Sequence, residues 1–187
     1  MTKTAIFTLS IAALGLAACG APEQRVAVPR AKVAAQQPIA YRSVALREVS
    51  LPSYANSEEV FVADETGMLN SRSGVLWADD PTRAITLEIA RYLAEISGAQ
   101  VASEPWPFQD YPQATVEVRI EEMVARSTGV FNLAGQYFVA PESGRDRARL
   151  FDLSVPLPPD AEPGDMADAR GQAVRALALE IARNGLR

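Results

Sequence analysis

The sequence predicts a single α/β domain: one mixed, largely antiparallel sheet with two amphipathic helices packed on one face. Three observations carry this. Ala114–Ile120 alternates, with Val116, Val118 and Ile120 facing one way and Thr115, Glu117 and Arg119 the other, the period of a half-buried strand. Ile85, Ile89, Leu93 and Ile96 recur at helical spacing, and Val174, Leu177, Ala178 and Ile181 do so near the C-terminus. Each helix therefore carries an apolar stripe that must be buried against another layer, and the apolar side of the strands supplies that layer.

Taken in order, the elements of the domain begin near Tyr41. Ser43–Leu51 reads as a strand with an irregularity before Val49, ended by Pro52. Glu59–Ala63 reads as a second strand. The polar turn Asp64-Glu65-Thr66-Gly67 then suits a hairpin into Met68–Ser71, by the usual turn chemistry. Gly74-Val75-Leu76-Trp77 leads to a helix start in which Asp79 or Asp80 can cap and Pro81 occupies the first helical position, both suited to the positive helix end. Gly98 ends that helix, as glycine does past a last turn. Gln100–Ser103, Ala114–Arg126, Val130–Val139 and Arg147–Val155 follow as strands, with Gly135 a candidate bulge. Asp165, after Gly164, can cap the final helix, which ends at Asn184-Gly185.

Composition narrows the chemistry. The chain of 187 residues has 18 basic and 23 acidic side chains, a net charge of −5, no histidine and one cysteine. One domain with a real core fits this length. The acidic balance, with no basic stripe, argues against nucleic acid and against anionic lipid headgroups as charge partners. Without histidine or a second cysteine there is no Cys/His zinc site, Ser-His-Asp triad, Cys-His dyad or disulfide. Carboxylate catalysis or an all-oxygen metal site is left in principle, but no glycine-rich phosphate loop, nucleophile elbow or EF-hand pattern supports it, so the chain does not read as an enzyme.

The N-terminus is a different kind of segment. Lys3 precedes an apolar run from Ala5 to Leu16 that is too short to span a bilayer, and Leu16-Ala17-Ala18-Cys19 follows. These residues resemble the lipobox of bacterial lipoproteins. The resemblance implies that 1–18 is a signal peptide and that Cys19 carries a covalent lipid, the one attached group expected. The resemblance further implies a diacylglycerol thioether on Cys19 and an acylated amine, and three acyl chains would exceed the two signals that stable anchoring requires. Gly20, where enteric lipoproteins retained in the inner membrane carry aspartate, implies sorting to the periplasmic face of the outer membrane. Residues 19–40 contain three prolines and no aromatic residue after the cysteine, and they read as a flexible tether before a domain over 41–187.

Several side chains invite a functional reading beside a structural one. Trp77 reads as core beneath the first helix rather than as an interface residue. Tyr54 could meet a partner or cap the sheet edge. Asp79 and Asp80 read as caps rather than cation ligands. Glu117, Glu121 and Glu122 read as a solvated sheet face rather than as catalytic carboxylates. Trp106, Phe108 and Tyr111 sit in a loop with prolines at 105, 107 and 112. Such a loop can be a pre-ordered partner contact, because aromatic residues dominate interface hot spots, or can fold its aromatics back onto the sheet.

Four stretches together, Leu51-Pro52-Ser53-Tyr54, Leu76-Trp77-Ala78-Asp79-Asp80-Pro81, Glu104-Pro105-Trp106-Pro107-Phe108 and Leu133-Ala134-Gly135-Gln136-Tyr137-Phe138, resemble the PqiC-like family of ABC-type transport auxiliary lipoproteins. The resemblance spans roughly 41–186 and implies a noncatalytic subunit of an envelope system. Its partner would be an MCE-domain protein of a PqiB-like system that carries lipid between membranes. The ATPase would lie on another chain. A lipid-binding lipoprotein and an assembly factor for an outer-membrane protein are the other readings, and homo-oligomerisation is left open.

Overall fold

The strand whose alternation is clearest in the sequence is also the axis of the sheet. In the computed structural model, which describes residues 23–33 and 36–187, β6 (Ala114–Arg126) pairs along one edge with β7 (Val130–Pro141), and β7 pairs with β8 (Arg147–Pro156), all antiparallel. The first hairpin turns at Gly129, whose N–H donates to the Arg126 carbonyl at 3.0 Å. The bulge belongs to β6 and not to Gly135. Between Ile120 and Glu122 the register slips by one residue, leaving Glu121 extra. Gly135 accommodates the slip, since a Cβ there would stand 2.2 Å from the Arg119 carbonyl oxygen.

The other edge of β6 is shared by two branches. β2 (Ser43–Leu46) runs parallel to it at Ala114–Val116, and β3 (Glu59–Ala63) runs parallel at Ala125–Arg126. Outside β2 lies β5 (Gln100–Ser103); outside β3 lies β4 (Leu69–Trp77). The expected strand Ser43–Leu51 thus stops at Leu46. Beyond it the contact with β6 is reduced to the Arg47 N–H on the Val116 carbonyl and an isolated bridge from Ser50 to Arg119, and between them the Val49 N–H turns inward to Thr86 Oγ1 at 3.1 Å. The hairpin after β3 forms as expected. Asp64 Oδ1 accepts from the N–H groups of Thr66 and Met68 at 2.9 and 3.0 Å, and these bonds hold its carboxyl below the usual range, the Thr66 hydroxyl contributing most. β4 is longer than Met68–Ser71 and absorbs Gly74–Trp77.

Both helices lie on the same face of this mixed sheet, whose long ladders are the antiparallel ones. α1 (Pro81–Ser97) is capped by Asp80, whose side chain accepts from the Arg83 N–H at 2.7 Å, and ends at Gly98 in the left-handed conformation. Asp79 pairs instead with the Arg83 guanidinium. α2 (Pro163–Glu180) starts earlier than Asp165 suggests. Glu162 is the cap, Pro163 the first residue, and Asp165 the reciprocal partner that accepts from the Glu162 N–H at 2.8 Å, a capping box. A wider last turn carries the chain through Ile181–Gly185. Ile85, Ile89, Leu93, Leu177 and Ile181 are buried in one core with Val116, Val118, Leu133 and Tyr137.

The N-terminal segment departs most from its sequence reading. In place of a free tether, β1 (Gln24–Val26) pairs parallel with Val75–Trp77 at the β4 edge. The chain then crosses the helix layer. Val28 packs on α2 where Gly171 leaves room, since a Cβ there would stand 2.8 Å from Val28 Cγ1. The Ala31 N–H reaches the Tyr92 hydroxyl at 3.4 Å, and the N–H groups of Gln37 and Ala40 donate to the carbonyls of Ile96 and Leu186 at 2.8 and 2.7 Å. Val26, Val28, Val33 and Ile39 add apolar area to the core. The strap shows no period because its partners are the two helices in turn. The signal segment, Cys19 and Gly20 lie outside the described residues.

Candidate functional site

The aromatic loop joins β5 to β6. Its ends are tied to β2, with the Glu104 N–H donating to the Leu46 carbonyl at 2.8 Å and the Gln113 N–H to that of Ser43 at 3.1 Å. Between them Trp106 and Phe108 meet edge to face at 4.9 Å, and Trp106 Nε1 donates to the Asp110 carbonyl at 2.6 Å. The loop is therefore ordered by its own aromatic pair. Phe108 remains 42 % exposed and Tyr111 87 %, a large outlay of apolar surface in solvent.

Beside the loop runs a charged ladder on the helix-free face of the sheet. Arg47 pairs with Glu117 at 2.8 Å and reaches Glu104 at 3.8 Å. Arg119 Nε donates to Glu117 at 2.7 Å, and its guanidinium lies 4.8 Å over the Phe138 ring. The Arg119 bond, opposed by partial desolvation and aided by Arg47, holds the Glu117 carboxyl below its ordinary value. Glu121 accepts from Gln136 and Glu122 from Arg126. The three glutamates are thus each bound to a different donor and form no acid–base pair.

Tyr54 sits elsewhere. In a short turn, Ser53–Asn56, its hydroxyl accepts from the Met123 N–H at 3.1 Å and its ring stands edge-on to Phe61 at 6.0 Å. Burial raises its pKa, against the lowering effect of the Met123 bond. Met123 and Ala114, where the loop enters β6, are nine positions apart along the strand, about 30 Å at roughly 3.3 Å per residue. The structure does not bring Tyr54 together with Trp106, Phe108 and Tyr111.

A polar centre lies between the two helices, outside the residues that the sequence patterns pointed to. Arg170 on α2 is 2 % exposed, pairs with Glu88 on α1 at 2.8 Å, and stacks 4.7 Å over the buried Trp77 ring. Burial pulls the arginine pKa down and the Glu88 carboxylate pushes it back. Among the described residues, Glu88 Oε2 and Arg170 Nε have no further partner. The signal was readable: Arg170 falls between Met166, Ala167 and Val174 on the apolar stripe of α2, where a cation needs a buried anion. Trp77 is core, as its place before α1 suggests. Among the described residues no group of carboxylates could hold a metal ion, and no helix is long and apolar enough to cross a membrane.

The family model for the ABC-type transport auxiliary lipoprotein component matches residues 25–182. The chain belongs to that family. The match to this auxiliary lipoprotein begins inside β1, so the strap falls within the family's domain and not before it. Two solved structures share its fold. A crystal structure of an uncharacterized protein superposes with a TM-score of 0.68 at 16 % identity, covering 86 % of this chain and 97 % of that one. A protein from Xanthomonas campestris, of the DUF330 family, superposes with a TM-score of 0.64 at 15 % identity, covering 88 % and 92 %. At such identities the likeness speaks for the fold alone. No curated protein matches the auxiliary lipoprotein in sequence.

Proposed function

We propose that this chain is the noncatalytic, lipid-anchored subunit of an MCE-type, PqiABC-like intermembrane lipid transport system. It would act at the periplasmic face of the outer membrane and contribute to envelope integrity. Membership of the transport auxiliary lipoprotein family carries the reading. The lipobox ending at Cys19, with Gly20 after it, supports an anchor and its sorting. The absence of histidine and the engagement of each clustered glutamate by its own donor favour a binding role over a catalytic one.

In this reading the domain docks on the periplasmic MCE-domain protein through the loop that leaves Phe108 and Tyr111 in solvent. Trp106 orders the loop through its bond to Asp110 and its contact with Phe108, which lowers the ordering cost of binding. Co-purification of full-length protein with the MCE protein of the same cell tests it. The wild type should bring the partner down, and Trp106→Ala with Phe108→Ala should fold, keep its lipid and lose the partner, since a central aromatic costs about 2 kcal/mol or more when truncated. Cys19→Ser should incorporate no labelled palmitate. Failure of the wild type to bind would reject the partnership; normal binding by the double variant would reject only the loop.

A further inference from the structure

Where α2 faces away from its core stripe, an open groove of about 490 Å³ runs between the helix, the end of β8 and the N-terminal strap. Its walls are Val33, Ile96, Val155, Pro156, Ala176 and Leu179. Two cations, Lys32 on the strap and Arg175 on α2, also line it, and no carboxylate does so among the described residues. Neither cation makes an ion pair among the described residues. In a chain whose net charge is −5, an apolar trough bordered only by positive charge is a local inversion of the surface.

We infer that this groove binds a single-chain anionic amphiphile, its hydrocarbon along the trough and its headgroup at Lys32 and Arg175. The volume lies within the roughly 300–1,000 Å³ of small-molecule sites, whereas a stable protein partner needs on the order of 1,000 Å² of buried surface. The apolar walls reward removal of hydrocarbon from water. The two cations, without an ion pair among the described residues, discriminate a charged head from a neutral one, since an alcohol can accept a hydrogen bond from them but offers no charge to pair with. The strap is part of the site: it contributes Lys32 and Val33 and is pinned on either side, at Ala31 to Tyr92 and at Gln37 to Ile96. The groove shares no residue with the aromatic loop, so it stands or falls apart from the proposed partnership.

Fluorescence titration of the chain from residue 19, carrying Cys19→Ser, with cis-parinaric acid tests the site, with displacement by oleate, lysophosphatidylglycerol and oleyl alcohol below their aggregation limits. Saturable binding of one probe per chain is expected, displaced by either anion and poorly by the alcohol. Carboxylate and phosphodiester heads are thereby distinguished, and displacement by either supports the site. Ala176→Trp, which fills the trough, should weaken binding at least about tenfold. Lys32→Glu with Arg175→Glu should weaken the anions by a similar factor, leave oleyl alcohol unchanged and keep the wild-type melting curve. Absence of saturable binding, indifference to both variants, or equal displacement by alcohol and anions would each overturn the inference. Binding of the MCE protein alongside any of these results would leave the partnership intact.

Discussion

On the helix side of the sheet, Val116, Val118 and Tyr137 are buried in one core with Leu93, Leu177 and Ile181. On the opposite side Arg47, Glu117 and Arg119 hold one another in solvent, Arg119 leaning over Phe138. The same strands build both surfaces, because successive residues point to opposite faces. The buried side converts area into stability at about 25 cal/mol per Å². The open side gains little from its ion pairs, because water already solvates the separated charges and the long side chains lose freedom when paired. What distinguishes the helix side further is a buried charge pair, Arg170 with Glu88. There the dielectric argument reverses, and loss of either partner strands the other.

Breaking that pair should give the largest effect. Arg170→Ala is expected to cost about 3–5 kcal/mol in urea unfolding, with Glu88 left unpaired beneath the strap. Arg170→Met combined with Glu88→Leu should recover much of the loss, because two apolar side chains need no partner. If the double variant is no better than the single one, packing over Trp77 and not charge explains the site.

Leu93→Ala probes the apolar part of the same side. The residue has no solvent exposure, and truncation should cost about 2–5 kcal/mol in the same assay. A loss below about 0.5 kcal/mol, the scale of ordinary surface changes, would mean that the stripe of α1 is not core.

The open face should respond least. Arg47→Ala is expected to change stability by no more than about 1 kcal/mol, since its side chain is 55 % exposed. The pH dependence has a definite sign. The Glu117 carboxyl is held below its ordinary 4.5 by Arg119 and Arg47. Its small contribution is present above the ordinary value and is lost as pH falls through the depressed folded value. Unfolding curves from pH 7 down to about pH 3 should therefore show Arg47→Ala converging on the wild type at the acid end. Divergence there would show that Arg47 acts by packing.

Features that depend on neighbours a few positions away are legible in the amino-acid sequence. The stripes of α1 and α2, the alternation of β6, an aspartate cap at 79 or 80, the Asp64 turn and the absence of histidine chemistry all follow from local spacing or from composition; that Asp80 caps while Asp79 pairs with Arg83 is visible only in the fold. The aromatic loop was recognisable as a feature, but its internal Trp106–Phe108 pair was not. Features that depend on distant partners emerge from the packed fold. Gln24 finds Val75 and Gln37 finds Ile96 across more than fifty residues, so the strap needs no period of its own and reads as a tether in isolation. Tyr54 and the aromatic loop each offer an aromatic contact to a partner in the sequence, and β6 separates them, the Tyr54 hydroxyl meeting the Met123 N–H at the strand's far end. The bulge at Glu121 and the sharing of one β6 edge by β2 and β3 are likewise properties of pairing. Backbone hydrogen bonds are available at nearly every residue, so local sequence rarely says which strand will take them.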